Sequence, residues 1–470
     1  MRYTGNKVED VKIAYIGGGS RGWAWGLMSD LVACEDMSGT VELYDIDYEA
    51  AYHNEIIGNQ FNSVEGAKTH WDYKAVKTID EALNGANFVV ISILPGTFDE
   101  MGSDVHTPEK YGIYQSVGDS SGPGGIVRAL RTVPMFEEIA KAIKKNCPEA
   151  WVINYTNPMT LCVKALYQTF PEIKAFGCCH EVFGTQNFIK KVLKETCGVE
   201  VADRKEIKSN VIGVNHFTWL TKAQYHDIDI FEAYRKYVET HRKTGTSEQA
   251  DQNWANKAFA TKECVKMDLF WRYGYLAAAG DRHLAEFCEG TWYLDSPQCV
   301  ANWGFGLTSI EWRRKDLERR LNESKQMISG EKKIEIKMTG EEGVEQMRAL
   351  LGLTDLVTNV NIPNVGQIPN LPMGAVVETN AAFRADSLEP VLAGNVPDTI
   401  YPLIARISGE QEIVARACKE RDLELAFSAF CNDPLVTISH EDARELFKEM
   451  LKNTAKYLTM YDLKAFGVEV

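Results

Sequence analysis

Residues 11–22 read Val11-Lys-Ile-Ala-Tyr-Ile-Gly17-Gly-Gly19-Ser20-Arg-Gly22, an apolar, β-branched run that passes directly into the pattern G-x-G-x-x-G. Gly17 permits a tight strand-to-helix turn, Gly19 lets the backbone approach a pyrophosphate, and Gly22 lets the next helix lie close to the sheet. The N-terminal amides and dipole of that helix then face the anion. The stretch therefore predicts a dinucleotide site that includes Gly17, Gly19, Ser20 and Gly22.

An acidic residue on the next predicted strand indicates which dinucleotide binds. Asp45 ends the run Val41-Glu-Leu-Tyr-Asp45, where a carboxylate can accept the hydroxyl groups of an adenosine ribose. Because the same carboxylate would repel a 2′-phosphate, the sequence predicts NAD rather than NADP. Another apolar run ends at Leu94-Pro95-Gly96, at the sheet edge where ligands bind in such folds, and it adds Pro95 to the predicted cofactor site.

The length, net charge and cysteine content of the chain limit the classes of protein to which it can belong. A chain of 470 residues is long enough for two or three domains, and its net charge of −15 argues against nucleic acid or an anionic membrane surface as a partner. No apolar stretch reaches the ~18 residues that a membrane span needs. The eleven cysteines are an odd number scattered along the chain, a pattern typical of a reducing compartment. We therefore expect a cytoplasmic enzyme without nucleic-acid or membrane partners.

The pattern of apolar and polar residues changes near residue 198. Before it, strand-like and helix-like patterns alternate, which is typical of a parallel sheet with helices on both faces. After it, residues 207–227 resemble antiparallel strands, and residues 317–345 are so heavily charged that we expect a solvated helical excursion with a loop at Gly330. We predict an α/β fold: a Rossmann-type doubly wound parallel sheet in residues 1–198, and an α+β domain of the lactate/malate dehydrogenase-like kind in residues 199–470.

Two motifs combine cysteine and histidine at predicted strand ends. Gly177-Cys-Cys179-His180-Glu181-Val182 follows a strand and should lie at the same sheet edge as the nicotinamide, and Gly213-Val-Asn-His216-Phe ends another apolar run. Thiolate and imidazole are good ligands for a divalent transition metal, and two protein ligands leave positions open for substrate oxygens. On spacing alone, a buried cysteine and a hydrogen-bonded core histidine remain an open alternative.

Three further segments are candidate substrate loops. Val117-Gly-Asp119-Ser-Ser-Gly-Pro-Gly-Gly125 is too rich in glycine and proline for regular structure, and it leads into Arg128-Ala-Leu-Arg131. Asn154-Tyr-Thr-Asn157-Pro carries side-chain amides that can bind sugar hydroxyls, and the run from Arg272 to His283 combines an acid, basic groups and phenols. Taken singly, each segment is also compatible with turn chemistry or with local surface ion pairs.

Together these motifs resemble glycoside hydrolase family 4, the NAD- and divalent-metal-dependent glycosidases. The resemblance extends from about residue 11 to at least residue 390 and includes the late motif Asn370-Leu-Pro-Met-Gly-Ala-Val-Val-Glu378. In this family, the four residues that begin at the metal-binding cysteine follow the substrate class. Here they read Cys179-His-Glu-Val, which resembles the α-galacturonidase subgroup rather than the Cys-Asn-x-Pro phospho-glycosidases or the Cys-His-Ser α-galactosidases.

The resemblance implies a stepwise cleavage of α-linked galacturonic acid residues. The steps are oxidation at C3, deprotonation at C2, elimination of the C1 substituent, water addition and re-reduction, with NAD and Mn2+ or another divalent transition metal. An α-glucuronidase or another α-glycosidase of the same family is the near alternative, since galacturonides and glucuronides differ only at C4. The alternative from another class is an NAD-dependent 2-hydroxy-acid dehydrogenase, which would consume NAD stoichiometrically and need no metal.

The resemblance also assigns roles to individual residues. It implies that Cys179 and His216 bind the metal, and that His180 assists leaving-group departure or C3 deprotonation. It favours Asp281 as the base at C2, with Tyr275 as the runner-up. The expected contacts of a uronic-acid glycoside substrate are Asp119, Asn154, Asn157 and Glu181 for the sugar hydroxyls, and Arg131, Arg282 and His283 for the carboxylate. Relatives commonly associate, so a homodimer or homotetramer is expected.

Overall fold

The computed structural model describes residues 1–246 and 261–469, which form two β-sheets and the helices that cover them. The strands are β1 (Arg2–Thr4), β2 (Lys7–Ile16), β3 (Met37–Tyr44), β4 (Trp71–Val76), β5 (Phe88–Ile91), β6 (Trp151–Asn154), β7 (Lys174–Gly177), β8 (Lys208–Val214), β9 (Phe217–Tyr225), β10 (Ile228–Asp229), β11 (Leu276–Ala277), β12 (Leu356–Pro363), β13 (Val376–Arg384) and β14 (Ser387–Pro390). The α-helices are α1 (Trp23–Ala33), α2 (Tyr48–Phe61), α3 (Ile79–Leu83), α4 (Phe98–His106), α5 (Gly122–Asn146), α6 (Met159–Thr169), α7 (Glu181–Cys197), α8 (Ile230–His241), α9 (Cys264–Tyr273), α10 (Asp281–Glu286), α11 (Gly290–Tyr293), α12 (Pro297–Trp303), α13 (Ile310–Ser329), α14 (Gly343–Leu350), α15 (Tyr401–Glu420), α16 (Leu423–Asn432) and α17 (His440–Asn453).

The larger sheet contains the predicted dinucleotide-binding topology. Its six parallel strands lie in the order β4-β3-β2-β5-β6-β7, which is the 3-2-1-4-5-6 arrangement of a Rossmann fold. Alternate residues of β2 point into two different cores: Ala14 and Ile16 pack on the side of α5 and α6, and Ile13 and Tyr15 on the side of α1 and α14. Both faces are therefore covered, and the predicted α/β fold class is confirmed.

The same sheet continues into the second half of the chain. Strands β12, β13 and β14 extend it beyond β7 in antiparallel pairing, with Asn361 opposite Gly177. The smaller sheet is antiparallel and consists of β8, β9, β10 and β11. The division into residues 1–198 and 199–470 stays a prediction, because the larger sheet does not end at that point.

Part of the charged segment, residues 317–345, does not lie in solvent as predicted. As predicted, α13 is helical and ends at Gly330, whose φ of 77° is left-handed. The chain then returns to the Rossmann part rather than remaining in solvent: Lys337 O accepts a hydrogen bond from Ser29 Oγ at 2.9 Å, and Thr339 N donates to Asp30 Oδ1 at 3.0 Å. These contacts form because the polar residues of α1 face the returning chain.

Two global expectations can be compared with the structure. Across residues 1–246 and 261–469, no helix has both the length and the apolar character that crossing a bilayer requires. All eleven cysteines are free thiols.

Candidate active site

The turn between β2 and α1 has the geometry that a dinucleotide phosphate group requires. Gly17 has a φ of 91°, and a Cβ added to it would lie 2.1 Å from the carbonyl oxygen of Ser92. Ser20 N donates to Gly17 O at 3.0 Å and closes the turn, and Gly22 is the N-cap of α1. Only glycine fits where β2 meets β5, and the turn leads into the N-terminus of α1, the end of a helix that favours anions.

The acidic residue of the predicted cofactor site follows β3 and faces this turn. Asp45 accepts hydrogen bonds from Gly19 N at 2.9 Å and from Asp47 N at 3.0 Å. Burial raises the pKa of its carboxyl group, which these backbone bonds oppose. Pro95 lies at the same edge, where its carbonyl oxygen accepts from Arg131 Nε at 2.9 Å. The carboxylate of Asp45 thus suits the ribose of NAD, and the backbone of the glycine turn suits its pyrophosphate.

Three side chains from separate segments meet beside the end of β6. Asp119 precedes α5, His216 lies between β8 and β9, and His283 belongs to α10. One potential ligand atom from each lies within 4.8 Å of the other two, and the His216 and His283 rings are 3.7 Å apart between centroids. Within the described ranges, this is the group of histidine, cysteine and carboxylate side chains whose spacing suits a metal ion. We call it the Asp119–His216–His283 group.

The position of His216 is fixed by a strained two-residue turn. Val214 pairs with Phe217 in the β8–β9 hairpin, so Asn215 and His216 form the turn itself. His216 has a φ of 63°, a left-handed conformation that costs about 1–2 kcal/mol for a non-glycine residue. Asn215 Nδ2 donates to Glu378 Oε2 at 3.2 Å, and this hydrogen bond attaches the turn to β13. Such strain is often found where a side chain must be aimed at a ligand.

Burial sets the charges in the Asp119–His216–His283 group. It lowers the pKa of His216 to about 3 and that of His283 to about 4, so both imidazoles are neutral at pH 7. Burial alone would raise the pKa of Asp119, but His216, His283 and Arg128 lower it to about 2. A single carboxylate thus faces two neutral imidazoles. Ionised carboxylate and neutral imidazole are the forms in which these groups bind metal ions.

A second set of contacts links this group to the dinucleotide turn. Glu181 Oε2 accepts from Gly280 N at 2.6 Å, while its Oε1 lies 3.6 Å from His283 Nε2 and 3.9 Å from His180 Nε2. His180 Nδ1 lies 3.2 Å from Glu341 Oε1, and its ring centroid is 6.1 Å from that of Trp23, the first residue of α1. His180 therefore lies between the predicted cofactor site and the Asp119–His216–His283 group.

Cys179 lies outside the Asp119–His216–His283 group as the structure stands. It is buried at the end of β7, and its carbonyl oxygen accepts from Asn359 Nδ2 at 3.5 Å. Burial, followed by the charges of Glu378 and Glu181, raises the pKa of its thiol. The side chain of Asn215 opposes this rise in the pKa of the thiol, so Cys179 neighbours the turn that carries His216.

Several predicted substrate contacts have partners of their own. Asn157 Nδ2 donates to Asp119 Oδ2 at 3.3 Å and so joins the site. Asn154, by contrast, bonds to the backbone of Thr156 through both ends of its side chain. Arg131 is buried in a bidentate pair with Asp104, and Arg282 donates to the carbonyl oxygens of Ser116 and Gly306. The structure does not bring Asn154, Arg131 or the guanidinium group of Arg282 to an open position.

The two candidate bases at C2 have different surroundings. Asp281 is fully buried, and its Oδ1 accepts from Lys266 N at 3.0 Å at the start of α9. Burial and the neighbouring Glu263 raise the pKa of its carboxyl group well above the ordinary value. Its Oδ2 has no hydrogen-bond partner among residues 1–246 and 261–469. Tyr275 is half-buried with its ring 6.5 Å from that of Phe231, which is the environment of a packing residue.

Sequence reasoning missed four residues that contact the site. Ser120 Oγ bonds to both Asp119 and His216, and Glu286 accepts from the amides of Val117 and Gly118, which fixes the loop before Asp119. Arg128 and Arg313 both face Asp119, and Arg313 is a half-buried residue in the first turn of α13. The motif that contains Arg131 also contains Arg128, so that residue could have been found; Arg313 carries no local signal. These four are Ser120, Glu286, Arg128 and Arg313. Glu341, which contacts His180, is a fifth missed residue and also carries no local signal.

Comparisons with known proteins agree over nearly the whole chain. The model of the Family 4 glycosyl hydrolases matches residues 12–195, and that of the C-terminal domain of the same family matches residues 211–436. An alpha-galacturonidase from Thermoanaerobacterium saccharolyticum is 61% identical over 465 residues, which cover 99% of this chain and 100% of that protein.

Solved structures share the fold. The crystal structure of lplD from Bacillus subtilis has a TM-score of 0.89 and 51% identity, covering 94% of this chain and 100% of that one. A 6-phospho-beta glucosidase from Thermotoga maritima, solved with manganese, NAD+ and glucose-6-phosphate, has a TM-score of 0.75 at 20% identity, covering 95% and 99%. With both domains matched in order and a relative of this identity aligned end to end, the chain belongs to family 4 of the glycosyl hydrolases.

Proposed function

We propose that this protein is an NAD- and divalent-metal-dependent α-galacturonidase. The observation that carries the proposal is the 61% identity to an alpha-galacturonidase over 99% of the chain. An identity of that level over the full length includes the loops that line the site. The motif Cys179-His-Glu-Val supports the same substrate class, and Glu181 of that motif contacts both His283 and Gly280.

The dinucleotide turn suits NAD in both of its recognition elements. A Cβ at Gly19 would lie 2.9 Å from Asp45 Oδ2 and 2.6 Å from the Cβ of Ala50, so this turn tolerates only glycine. Gly17 to Gly22 would hold the pyrophosphate, with Ser20 in the turn, and Asp45 would hold the adenosine ribose. When bound, NAD+ supplies reversible hydride transfer at C3 of the sugar. Pro95 would bound the nicotinamide end of this crevice.

The donor groups near His216 suit a divalent transition metal such as Mn2+. Cys179 and His216 are the proposed ligands, since they match the family motif, and the neutral imidazole of His216 is the form that binds cations. A bound ion supplies positive charge to the sugar oxygens next to the reacting carbons. Asp119 and Asn157 lie beside this position and are proposed to orient the sugar.

The acid–base work is assigned to two residues. Asp281 is the proposed base at C2: its buried carboxyl group has a raised pKa, which brings a base closer to neutral pH. Its Oδ1 is held by the α9 amides, so Oδ2 is the oxygen that accepts the proton. His180 lies between Glu181 and Glu341 and is proposed to move a proton on the C3 oxygen or the leaving group. Tyr275 remains the second candidate base.

The substrate carboxylate is expected to lie near Arg128, the arginine that the geometry favours over Arg131 and Arg282. Arg128 Nε donates to Asn157 O at 3.1 Å, and its Nη1 is buried without a hydrogen-bond partner in the described part of the chain. An arginine fork suits a carboxylate, because two parallel hydrogen bonds can form. We further propose that the enzyme acts in the cytoplasm as a homodimer or homotetramer.

A substrate panel tests the proposal. Purified enzyme with NAD+ and Mn2+ should release the aryl group from aryl α-galacturonide, with kcat/KM at least ten times higher than for the matched α-glucuronide and α-galactoside. The three substrates differ only in the C4 configuration or in the carboxyl group, so they serve as matched controls for each other. A preference for the glucuronide would replace the proposed substrate, and NADH formation without sugar release would indicate a dehydrogenase.

A further inference from the structure

We propose that Asp119 and His283 bind the divalent cation together with His216. The cation would then be held by a loop, a hairpin turn and a short helix rather than by the Cys179 and His216 motifs alone. The inference rests on the metal requirement of the proposed function and assigns two residues to it. Asp119 and His283 were predicted to contact the substrate instead.

The first argument is distance. One potential ligand atom from each of Asp119, His216 and His283 lies within 4.8 Å of the other two. Metal–nitrogen and metal–oxygen bonds are about 2.1 Å long, so two ligands on opposite sides of one ion are about 4.2 Å apart. Side-chain movements of about half an ångström would therefore suffice to bring all three atoms to one ion.

The second argument is the protonation of His216. Ser120 Oγ donates its only proton to Asp119 Oδ1 at 2.7 Å and also lies 3.0 Å from His216 Nδ1. Since the hydroxyl proton is used, Ser120 must accept from His216, and the imidazole proton is on Nδ1. Nε2 of His216 then carries a free lone pair, which is the ligand atom. This contact also fixes the ring orientation, as the hydrogen-bond partners of metal-bound histidines do.

The third argument concerns His283. Its Nε2 lies 3.6 Å from the carboxylate oxygen Oε1 of Glu181, which favours the ring proton on that nitrogen. Its Nδ1 is buried and has no hydrogen-bond partner in residues 1–246 and 261–469. A buried nitrogen lone pair without a partner is unfavourable, and a bound cation would satisfy it. Glu181 would then orient His283, which gives this carboxylate a function that does not bring it against an anionic sugar.

The fourth argument is charge. Asp119 brings a carboxylate to this group, and a second carboxylate, that of Glu181, lies 3.6 Å from His283 Nε2. A divalent cation would neutralise this buried negative charge. Together with Cys179, three such ligands would still leave two of six positions for sugar oxygens, because Mn2+ is commonly octahedral.

Metal affinity tests the inference without any turnover. Free Mn2+ is counted by its electron paramagnetic resonance signal during titration of the wild type, His283→Gln, Asp119→Asn and His216→Gln. We expect each variant to bind at least ten-fold more weakly than the wild type. The exposed His70→Gln variant is the control and should bind as the wild type does. Circular dichroism and thermal melting check that each variant is folded.

A second readout separates metal ligands from residues that only support the fold. Co2+ replaces Mn2+, and its visible spectrum depends on which groups bind it. Loss of His283 or Asp119 should shift the ligand-field bands, and Cys179→Ser should remove only the thiolate charge-transfer band. Unchanged Mn2+ affinity and an unchanged cobalt spectrum in both His283→Gln and Asp119→Asn would overturn the inference. The proposed galacturonidase activity would be unaffected by that result, because it is measured with sugar substrates.

Discussion

Arg128 and Arg131 lie one turn apart in α5, and their guanidinium groups have different partners. Arg131 forms a fully buried pair with Asp104 and also donates to Pro95 O. Removing one partner of a buried ion pair leaves a desolvated charge behind. We expect Arg131→Met to lower the free energy of unfolding by about 3–5 kcal/mol, measured by denaturant titration.

Arg128→Gln is the matched variant in the same helix. It should raise the KM for galacturonide, which Arg131→Met should not do, because Arg128 faces Asp119 and Asn157 at the site. If Arg131→Met kept full stability and altered substrate preference instead, the assignment of the two arginines would have to be exchanged.

Asp281 and Tyr275 can be separated by substitution. Asp281→Asn should reduce kcat about 10²–10⁴-fold, the range that a general base contributes, since an amide cannot take the C2 proton. The asparagine can still accept the bond from Lys266 N, so the melting temperature should change little. Tyr275→Phe should keep most of the activity. The opposite pattern, with Tyr275→Phe inactive and Asp281→Asn active, would identify Tyr275 as the base.

Individual residues show which parts of the candidate site can be predicted from the sequence. The sequence singles out the glycines, Asp45, Asp119, His216 and His283 because each follows a strand or lies in a motif, and the structure brings the last three together. Which arginine remains open to a ligand could not be predicted, since the partner of Arg131 is Asp104, located 27 residues earlier in another helix. A sequence motif gives the residue type, but only the packed structure shows which hydrogen bonds are already made.

Among the elements, the segment after α13 is the one whose role the sequence does not indicate. Its charge predicts a solvated excursion, and α13 is indeed helical, yet the chain that follows places Glu341 at 3.2 Å from His180 Nδ1. Hydrophobic periodicity cannot reveal this contact, because a single carboxylate makes it. The strand–turn–helix unit at β2 and α1, by contrast, has the order that the sequence predicts, since the glycine motif lies within twelve residues of sequence.

Glu341 is a positioning residue in this account, and its substitution tests the role of this segment. Glu341→Gln weakens the carboxylate–imidazole contact, so we expect kcat to fall about ten-fold or more while KM for galacturonide stays within about two-fold. Glu341→Asp should restore part of kcat. The control is Glu335→Gln, because that carboxylate is exposed and forms an ion pair with Lys337. Equal losses in kcat for Glu341→Gln and Glu335→Gln would show that the segment acts on folding alone.

At the scale of the whole molecule, a buried acid pair should make stability depend on pH. Asp433 accepts from Gly122 N and Leu435 N, both at 2.8 Å, beside Glu410. Burial raises the pKa of Asp433 to about 6 and that of Glu410 well above its ordinary value. The folded state therefore binds protons more tightly than the unfolded state, and the stabilisation present below the ordinary carboxyl pKa is lost as pH rises.

We expect Glu410→Gln to raise the melting temperature relative to the wild type by more at pH 8 than at pH 5, because the amide carries no charge to bury. Differential scanning calorimetry across this range makes the measurement. Glu420→Gln is the control, because it lies on the same helix in an exposed position. An equal effect of Glu410→Gln on the melting temperature at pH 5 and at pH 8 would contradict this account of the pair.

The overall architecture was predictable from the sequence in its first half and less so in its second. Six parallel strands with helices between them follow from alternating patterns of local residues. Strands β12, β13 and β14 join the same sheet where Asn361 pairs with Gly177. These two residues are distant in sequence, so local patterns do not predict the pairing. The active site also draws residues from both halves: Asp119 precedes α5, His216 lies in the hairpin of the smaller sheet and His283 in α10.

The central claim is that this site removes the C2 proton of a galacturonide during cleavage, and isotope incorporation tests it most directly. The enzyme is incubated with NAD+, Mn2+ and aryl α-galacturonide in deuterated water, and the product is examined by proton NMR. The account predicts galacturonic acid carrying deuterium at C2, with no accumulation of NADH. Hydrolysis that leaves the C2 proton in place would contradict it.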